Sequence, residues 1–212
     1  MPYLGQQRVL LPGVQSSDLT TGKVKSGRGK DALAEGAFDT LAVVAVPSGG
    51  IASVTFDGIP SGYEHLQIRA LVRGNRTPVT YDNFSLRFNN DLANNYAAHV
   101  FYGDGRSSAV NAESSTSANA IVAAQIPGSA SLTNSFGVAI IDVLDYSSSI
   151  KNTTIRSLNG YESNTTGYGS IYSSICLISG GWYSTAPVTS ITLVPSNSPF
   201  QEFSHFALYG VK

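Results

Sequence analysis

The sequence predicts an all-β protein: a jelly-roll-like antiparallel β-sandwich over residues 38–212, preceded by an extended N-terminal arm over residues 1–37. Three observations predict it. Short apolar runs recur along most of the chain with turn residues between them, and no convincing amphipathic helix intervenes. Charged residues make up 13% of the 212 residues, roughly half the usual share of about 25%. Ser, Thr, Asn and 21 glycines take their place, a mixture that favours turns over long helices.

The elements follow in order from residue 37. LAVVAV (41–46) and IASVTF (51–56) flank Pro-Ser-Gly-Gly, a hairpin-sized gap whose glycines can take positive φ. HLQIRALVR (65–73) alternates, with Leu66, Ile68, Ala70 and Val72 facing in. NFSLRFN (83–89) does the same with Phe84, Leu86 and Phe88. Further strands are expected at 96–103, 120–126, 135–146, 153–161, 169–180, 190–195 and 203–211. One helical turn is conceivable in GKDALAEGAFDTLA (29–42), limited by its glycines at 29 and 36.

Two of these strands, 135–146 and 203–211, are apolar on both parities. In the last, Phe206, Leu208 and Gly210 share one side, and Phe203, His205, Ala207, Tyr209 and Val211 the other. A sandwich strand has one face in the core and one outside, so the second apolar face needs another cover. A neighbouring subunit covers it better than the arm, which is too short to shield several strands. Phe203, His205 and Tyr209 are therefore candidate subunit-interface residues.

Residues 1–36 carry five basic side chains (Arg8, Lys23, Lys25, Arg28, Lys30) and too few apolar ones to build a core. Tyr3, Leu4, Arg8, Leu10 and Leu11 are candidate docking residues, since apolar groups here are costly to leave in water. A flexible leader is the plainer alternative. The net charge of −1 provides no basic field for nucleic acid. A single cysteine, Cys176, excludes an intramolecular disulfide and a cysteine-based metal site, and is expected to pack as a small apolar residue. No apolar run approaches the roughly 18 residues a membrane span needs, and no basic-then-apolar leader opens the sequence. The expectation is a soluble chain made in a cytoplasm, with no membrane insertion.

No catalytic motif is present: there is no GxSxG, HExxH or phosphate-binding loop. His65, His99 and His205 stand apart in strand patterns. Asp142 and Asp145 read either as turn caps or as cation ligands, and NNDLANN (89–95) lacks the order of a calcium loop. No catalytic residue, metal or cofactor is expected. Tyr161, Tyr168 and Tyr172, together with Trp182 and Tyr183, lie among Asn, Thr, Ser and Gly. Such aromatics suit either glycan stacking or subunit contact.

Several stretches carry a resemblance: IASVTFDGIPSGYEHLQIRALVRG (51–74), FSLRFNNDLANNYAAHVFYGDG (84–105), SFGVAIIDVLDYSSSIKNTTIRSLNGYES (135–163), ITLVPS (191–196) and FSHFALYGVK (203–212). Over residues 38–212 the chain resembles virion proteins of tailed bacteriophages, the tail-fibre heads and baseplate-attached or decoration proteins found in phages of cyanobacteria and other aquatic bacteria. The resemblance implies a β-sandwich subunit, usually homotrimeric, built into a virion assembled in the host cytoplasm. The opening Met-Pro-Tyr-Leu-Gly is similar to short segments that dock fibres onto other tail or baseplate proteins. With no heptad region or repetitive shaft, the chain would be a short fibre or a knob close to the particle. The expected function is a short trimeric tail fibre or baseplate-attached protein that attaches to host-surface glycan. A capsid or baseplate cement protein without receptor contact is the alternative.

Overall fold

Period-two alternation over most of the predicted runs gives each a dry side and a second side whose partner must be found. The computed structural model describes residues 37–104, 110–165 and 173–212, and Phe38–Lys212 forms one unit around one core. Its strands are β1 (Phe38–Ala45), β2 (Val54–Phe56), β3 (His65–Val72), β4 (Tyr81–Phe88), β5 (Tyr96–Gly103), β6 (Asn111–Ala118), β7 (Ile121–Pro127), β8 (Gly137–Leu144), β9 (Thr153–Glu162), β10 (Ser173–Trp182), β11 (Ile191–Pro195) and β12 (His205–Val211). All pairings are antiparallel. No helix occurs among the described residues.

The strands form an eight-stranded sheet, β1-β12-β3-β8-β9-β10-β5-β6, packed on a four-stranded sheet, β2-β11-β4-β7. Set aside β5, β6, β9 and β10. The remaining eight run β1-β12-β3-β8 against β2-β11-β4-β7, which is the strand order of a jelly roll. The other four all extend the larger sheet beyond β8. The predicted sandwich is the fold, and its unexpected feature is this one-sided widening.

Two details differ from expectation. Strands β1 and β2 are not a hairpin: β1 pairs with β12 in the large sheet and β2 with β11 in the small one. The Pro-Ser-Gly-Gly segment carries the chain between layers, with Gly49 and Gly50 at φ 91° and 76°. A Cβ on Gly50 would sit 2.5 Å from the Phe200 carbonyl oxygen, so the crossing is tight enough to demand glycine. Strand β6 was not predicted. Its sequence NAESSTSA has no apolar stripe and no residue of it is buried, so pairing with β5 alone makes it a strand.

The core between the sheets carries aromatic rings around both Phe84 and Phe88 of β4, with aliphatic side chains such as Leu86 between them. Phe84, Phe200 and Phe206 are fully buried and meet with ring centroids 4.8 to 6.3 Å apart, tilted or edge-on. Cys176 is buried, as expected of a small apolar residue. At the far end of β12, Gly210 makes room for the Tyr63 ring, whose atoms would lie 2.5 Å from an added Cβ. The Tyr63 hydroxyl donates to Asp39 at 3.0 Å, and Lys212 reaches the same carboxylate at 2.9 Å. Lys212 first, and Tyr63 second, hold the Asp39 carboxyl below its usual value. Gly210→Ala should therefore destabilise the fold by about 1–3 kcal/mol through overpacking, read from the urea midpoint. The same substitution in a Tyr63→Ala background should cost little, because the obstructing ring is gone.

Candidate functional site

The two outer faces of the sandwich differ in kind. On the small sheet most outward residues are polar: Thr55 pairs with Thr192 across β2 and β11 at 3.2 Å, and Ser85, Arg87 and Gln125 share that side with half-buried Val122 and Val194. This is the alternation of a solvated sheet face. The large sheet does the opposite. Among the described residues fifteen large hydrophobic side chains are exposed, and nine of them project from its outer face.

Strand register places them in rows. Ile140, Leu158, Leu177 and Phe101 stand side by side on β8, β9, β10 and β5, with Arg69 and Ala207 continuing the row onto β3 and β12. Val43 on β1 completes it. Two residues along, Leu71, Val138 and Ile175 form a second row, with Gly160 between the last two. Phe38 is the ninth, at the corner opposite Val211. Leu158, Leu177 and Phe101 are each more than half exposed. Single exposed apolar residues are ordinary; a contiguous patch of this kind marks an interaction surface.

A third row is polar. It runs Tyr209, Gln67, Asp142, Arg156, Ser179 and His99 across six adjacent strands. Gln67 donates to Asp142 at 2.8 Å and accepts from Arg69 at 2.8 Å. Arg69 in turn lies over the rings of Phe38 and Tyr209, 5.2 and 5.1 Å from their centroids. This network fixes one end of the face. A shallow hollow of ≈ 490 Å³ opens beside it, where small Ala207 lies among Val43, Leu71, Val138, Ile140 and His205.

The interface candidates divide accordingly. His205 is exposed and Tyr209 half-buried on this face, as their parity requires. Phe203 is exposed but precedes β12, in a turn where it has φ 68°. The second predicted two-faced strand is β8, where Val138 and Ile140 are exposed and Gly137, Ala139, Ile141 and Val143 are buried. Sequence reading missed the contributions of β9, β10 and β5, although the outward parity of Leu158, Ile175, Leu177 and Phe101 was there to be counted.

Two of the five glycan candidates, Tyr161 and Trp182, are corrected. Trp182 is 3% and Tyr161 7% exposed, because both fall on the inward parity of their strands. They are also far apart: Tyr161 pairs with Ser174 at one end of the β9–β10 hairpin and Trp182 with Thr153 at the other, about 27 Å away at about 3.4 Å per residue. Trp182 packs on Tyr96 and Phe88, and its indole N–H donates to Asp91 at 2.7 Å. Neither ring offers a face to a sugar. Tyr183 is 60% exposed; Tyr168 and Tyr172 lie outside the described residues, as do Tyr3, Leu4, Arg8, Leu10 and Leu11.

The acidic candidates serve structure. Asp145 takes φ 57° in the turn after β8 and pairs with Lys151 at 3.0 Å. In NNDLANN, the Asn89 side chain accepts from the Thr189 and Ser190 amides and donates to the Pro187 carbonyl. Among the described residues no group of three or more His, Cys, Asp or Glu is placed to hold a metal ion. The chain matches no protein-family model, no curated protein and no solved structure.

Proposed function

We propose that this chain is a structural subunit that works by associating with sister copies through the outer face of its large sheet. The assembly it enters, on this reading, is a tailed-phage virion, as a short tail fibre or baseplate-attached protein. The apolar face carries the first part: nine large side chains on one side of one sheet are expensive to leave in water, at roughly 25 cal/mol per Å². The sequence resemblance over residues 38–212 is the support for the second. Host-surface glycan attachment remains part of the proposal, with Tyr183 its described candidate.

Leu158→Lys tests the association. It places a charge at the centre of the apolar rows, on a side chain 53% exposed, so the fold should keep its stability within about 0.5 kcal/mol. Sister-copy association should weaken at least tenfold, read by light scattering across a dilution series. Unchanged association would remove this face from the contact. Imaging of labelled protein on particles tests the virion role: signal at the tail supports it, signal over the shell indicates the cement alternative, and unlabelled particles refute both.

A further inference from the structure

Residues on the outer face are arranged so that the face complements itself. Along the first apolar row the order is Ala207, Arg69, Ile140, Leu158, Leu177, Phe101, on β12, β3, β8, β9, β10 and β5. Phe101 projects from one end, 57% exposed. The hollow around Ala207 lies at the other. With strands about 4.8 Å apart, Phe101 and Ala207 each lie about 12 Å from the line between β8 and β9, and the hollow extends from Ala207 inward to Val138 and Ile140 on β8.

Resting on the reading above that sister copies associate through this face, and departing from the trimer that the resemblance implies, we propose that two copies pair face to face about a two-fold axis running along the strands between β8 and β9. Phe101 of each copy sits in the partner's hollow. A two-fold contact uses one patch twice, so a residue on one side of the axis meets its counterpart from the other side. That operation sets Phe101 over the partner's Ala207, Ile140 over the partner's Leu158, and Leu71 over the partner's Ile175. Large meets small at the ends and aliphatic meets aliphatic at the centre; between them the stem of Arg69 lies against the partner's Leu177 with its charged end toward Gln67, Phe38 and Tyr209.

Charge gives an independent argument for the same axis. Asp142 and Arg156 face each other across β8 and β9 in the polar row, immediately either side of the line. The two-fold operation sets Asp142 against the partner's Arg156, and Arg156 against the partner's Asp142. A two-fold axis along the strands leaves the two sheets aligned, inside the range of about 30° found for stacked sheets, and pairings this close to the axis move least under any rotation within that range. A side-by-side shift of one strand would instead bring like charges together on one side.

Area agrees as well. Eight strands span about 34 Å, and seven residues along each about 24 Å. The face therefore measures on the order of 800 Å², what one partner contributes to a standard interface. The widening of the large sheet by β5, β9 and β10 is what creates it: without those strands there is neither knob nor axis.

The test moves the knob. Phe101→Ala removes it, Ala207→Phe fills the hollow, and the double variant exchanges the two ends of the face. Both sites are on the surface, and Trp182 fluorescence reports that each variant is folded. Light scattering over a dilution series should give the unaltered chain a mass of two copies. Each single variant should raise the dissociation constant at least tenfold, and the double variant should return to within about threefold of the unaltered chain. A mass of three or more copies would overturn the two-fold pairing and leave the assembly reading standing. A double variant no better than the weaker single variant would overturn the knob-and-hollow contact. A chain that stays single at all concentrations would overturn both this inference and the reading beneath it.

Discussion

Replacing Arg73 with methionine should cost the fold about 3–5 kcal/mol, one of the largest losses available to a single substitution in this chain. Arg73 follows directly on β3 and is 9% exposed. Its guanidinium donates to backbone carbonyls: Leu132 at 2.8 Å, Ser135 at 2.9 Å and Ser131 at 3.0 Å, with a longer contact to Ser129 at 3.4 Å. All four belong to the segment joining β7 to β8, which has no sheet ladder to use those oxygens. Carbonyl dipoles, rather than a carboxylate, stabilise the charge, and burial lowers the guanidinium pKa from its usual value. Methionine keeps much of the stem and leaves the buried Ser131 and Ser135 carbonyls without this donor, while the Leu132 carbonyl still accepts the Ser135 amide. Lysine keeps the charge but cannot reproduce the planar fork, so Arg73→Lys should recover less than half of the loss. Urea midpoints of the three proteins decide this; equal midpoints would show that water satisfies the segment unaided.

Trp182→Ala should be comparably severe, about 3–5 kcal/mol, the range for removing a large aromatic from a packed core. Trp182 is the single tryptophan, so its fluorescence reads the result: emission from the native protein should be that of a buried indole and should shift red on unfolding. Trp182→Phe separates packing from hydrogen bonding. The indole N–H is the first of the donors that lower the Asp91 carboxyl below its usual 3.8, ahead of the Asn95 side chain and the Ala93 amide. A lowered native pKa means that the ionised carboxylate stabilises the fold above pH 3.8 and that this contribution fades as pH falls through the native value. The Phe variant lacks part of it, so its deficit should be full near neutral pH and shrink in acid. A deficit independent of pH would show that only ring packing is lost.

The fold was largely legible in the sequence because alternation, turn residues and the absence of helix signals agree with one another. Eleven segments expected to be strands lie on strands of the structure, though the boundaries moved. β6 was illegible for a physical reason: neither of its faces is buried, so it has no hydrophobic period to detect. The β1–β2 hairpin was misread because Pro-Ser-Gly-Gly satisfies a turn whether the next strand returns to the same sheet or crosses to the other. Two of the glycan candidates, Tyr161 and Trp182, fail on parity. Trp182 stands in a Gly-rich stretch that reads as a loop, yet it is the last inward residue of β10.

The two-faced character of 135–146 and 203–211 was visible in advance and points to the surface that matters. Its extent was not, since Leu158, Leu177 and Phe101 belong to strands that look ordinary one at a time. Only register shows that they stand in one row. The proposed assembly is thus read from the sheet more than from any one segment.

Light scattering of the purified chain at micromolar concentration bears on this most directly. A mass at a whole multiple of 22.3 kDa, falling back to a single chain for Leu158→Lys, is the result expected of a subunit that associates through its large sheet. A folded protein that holds at 22.3 kDa from nanomolar to millimolar concentration would contradict it.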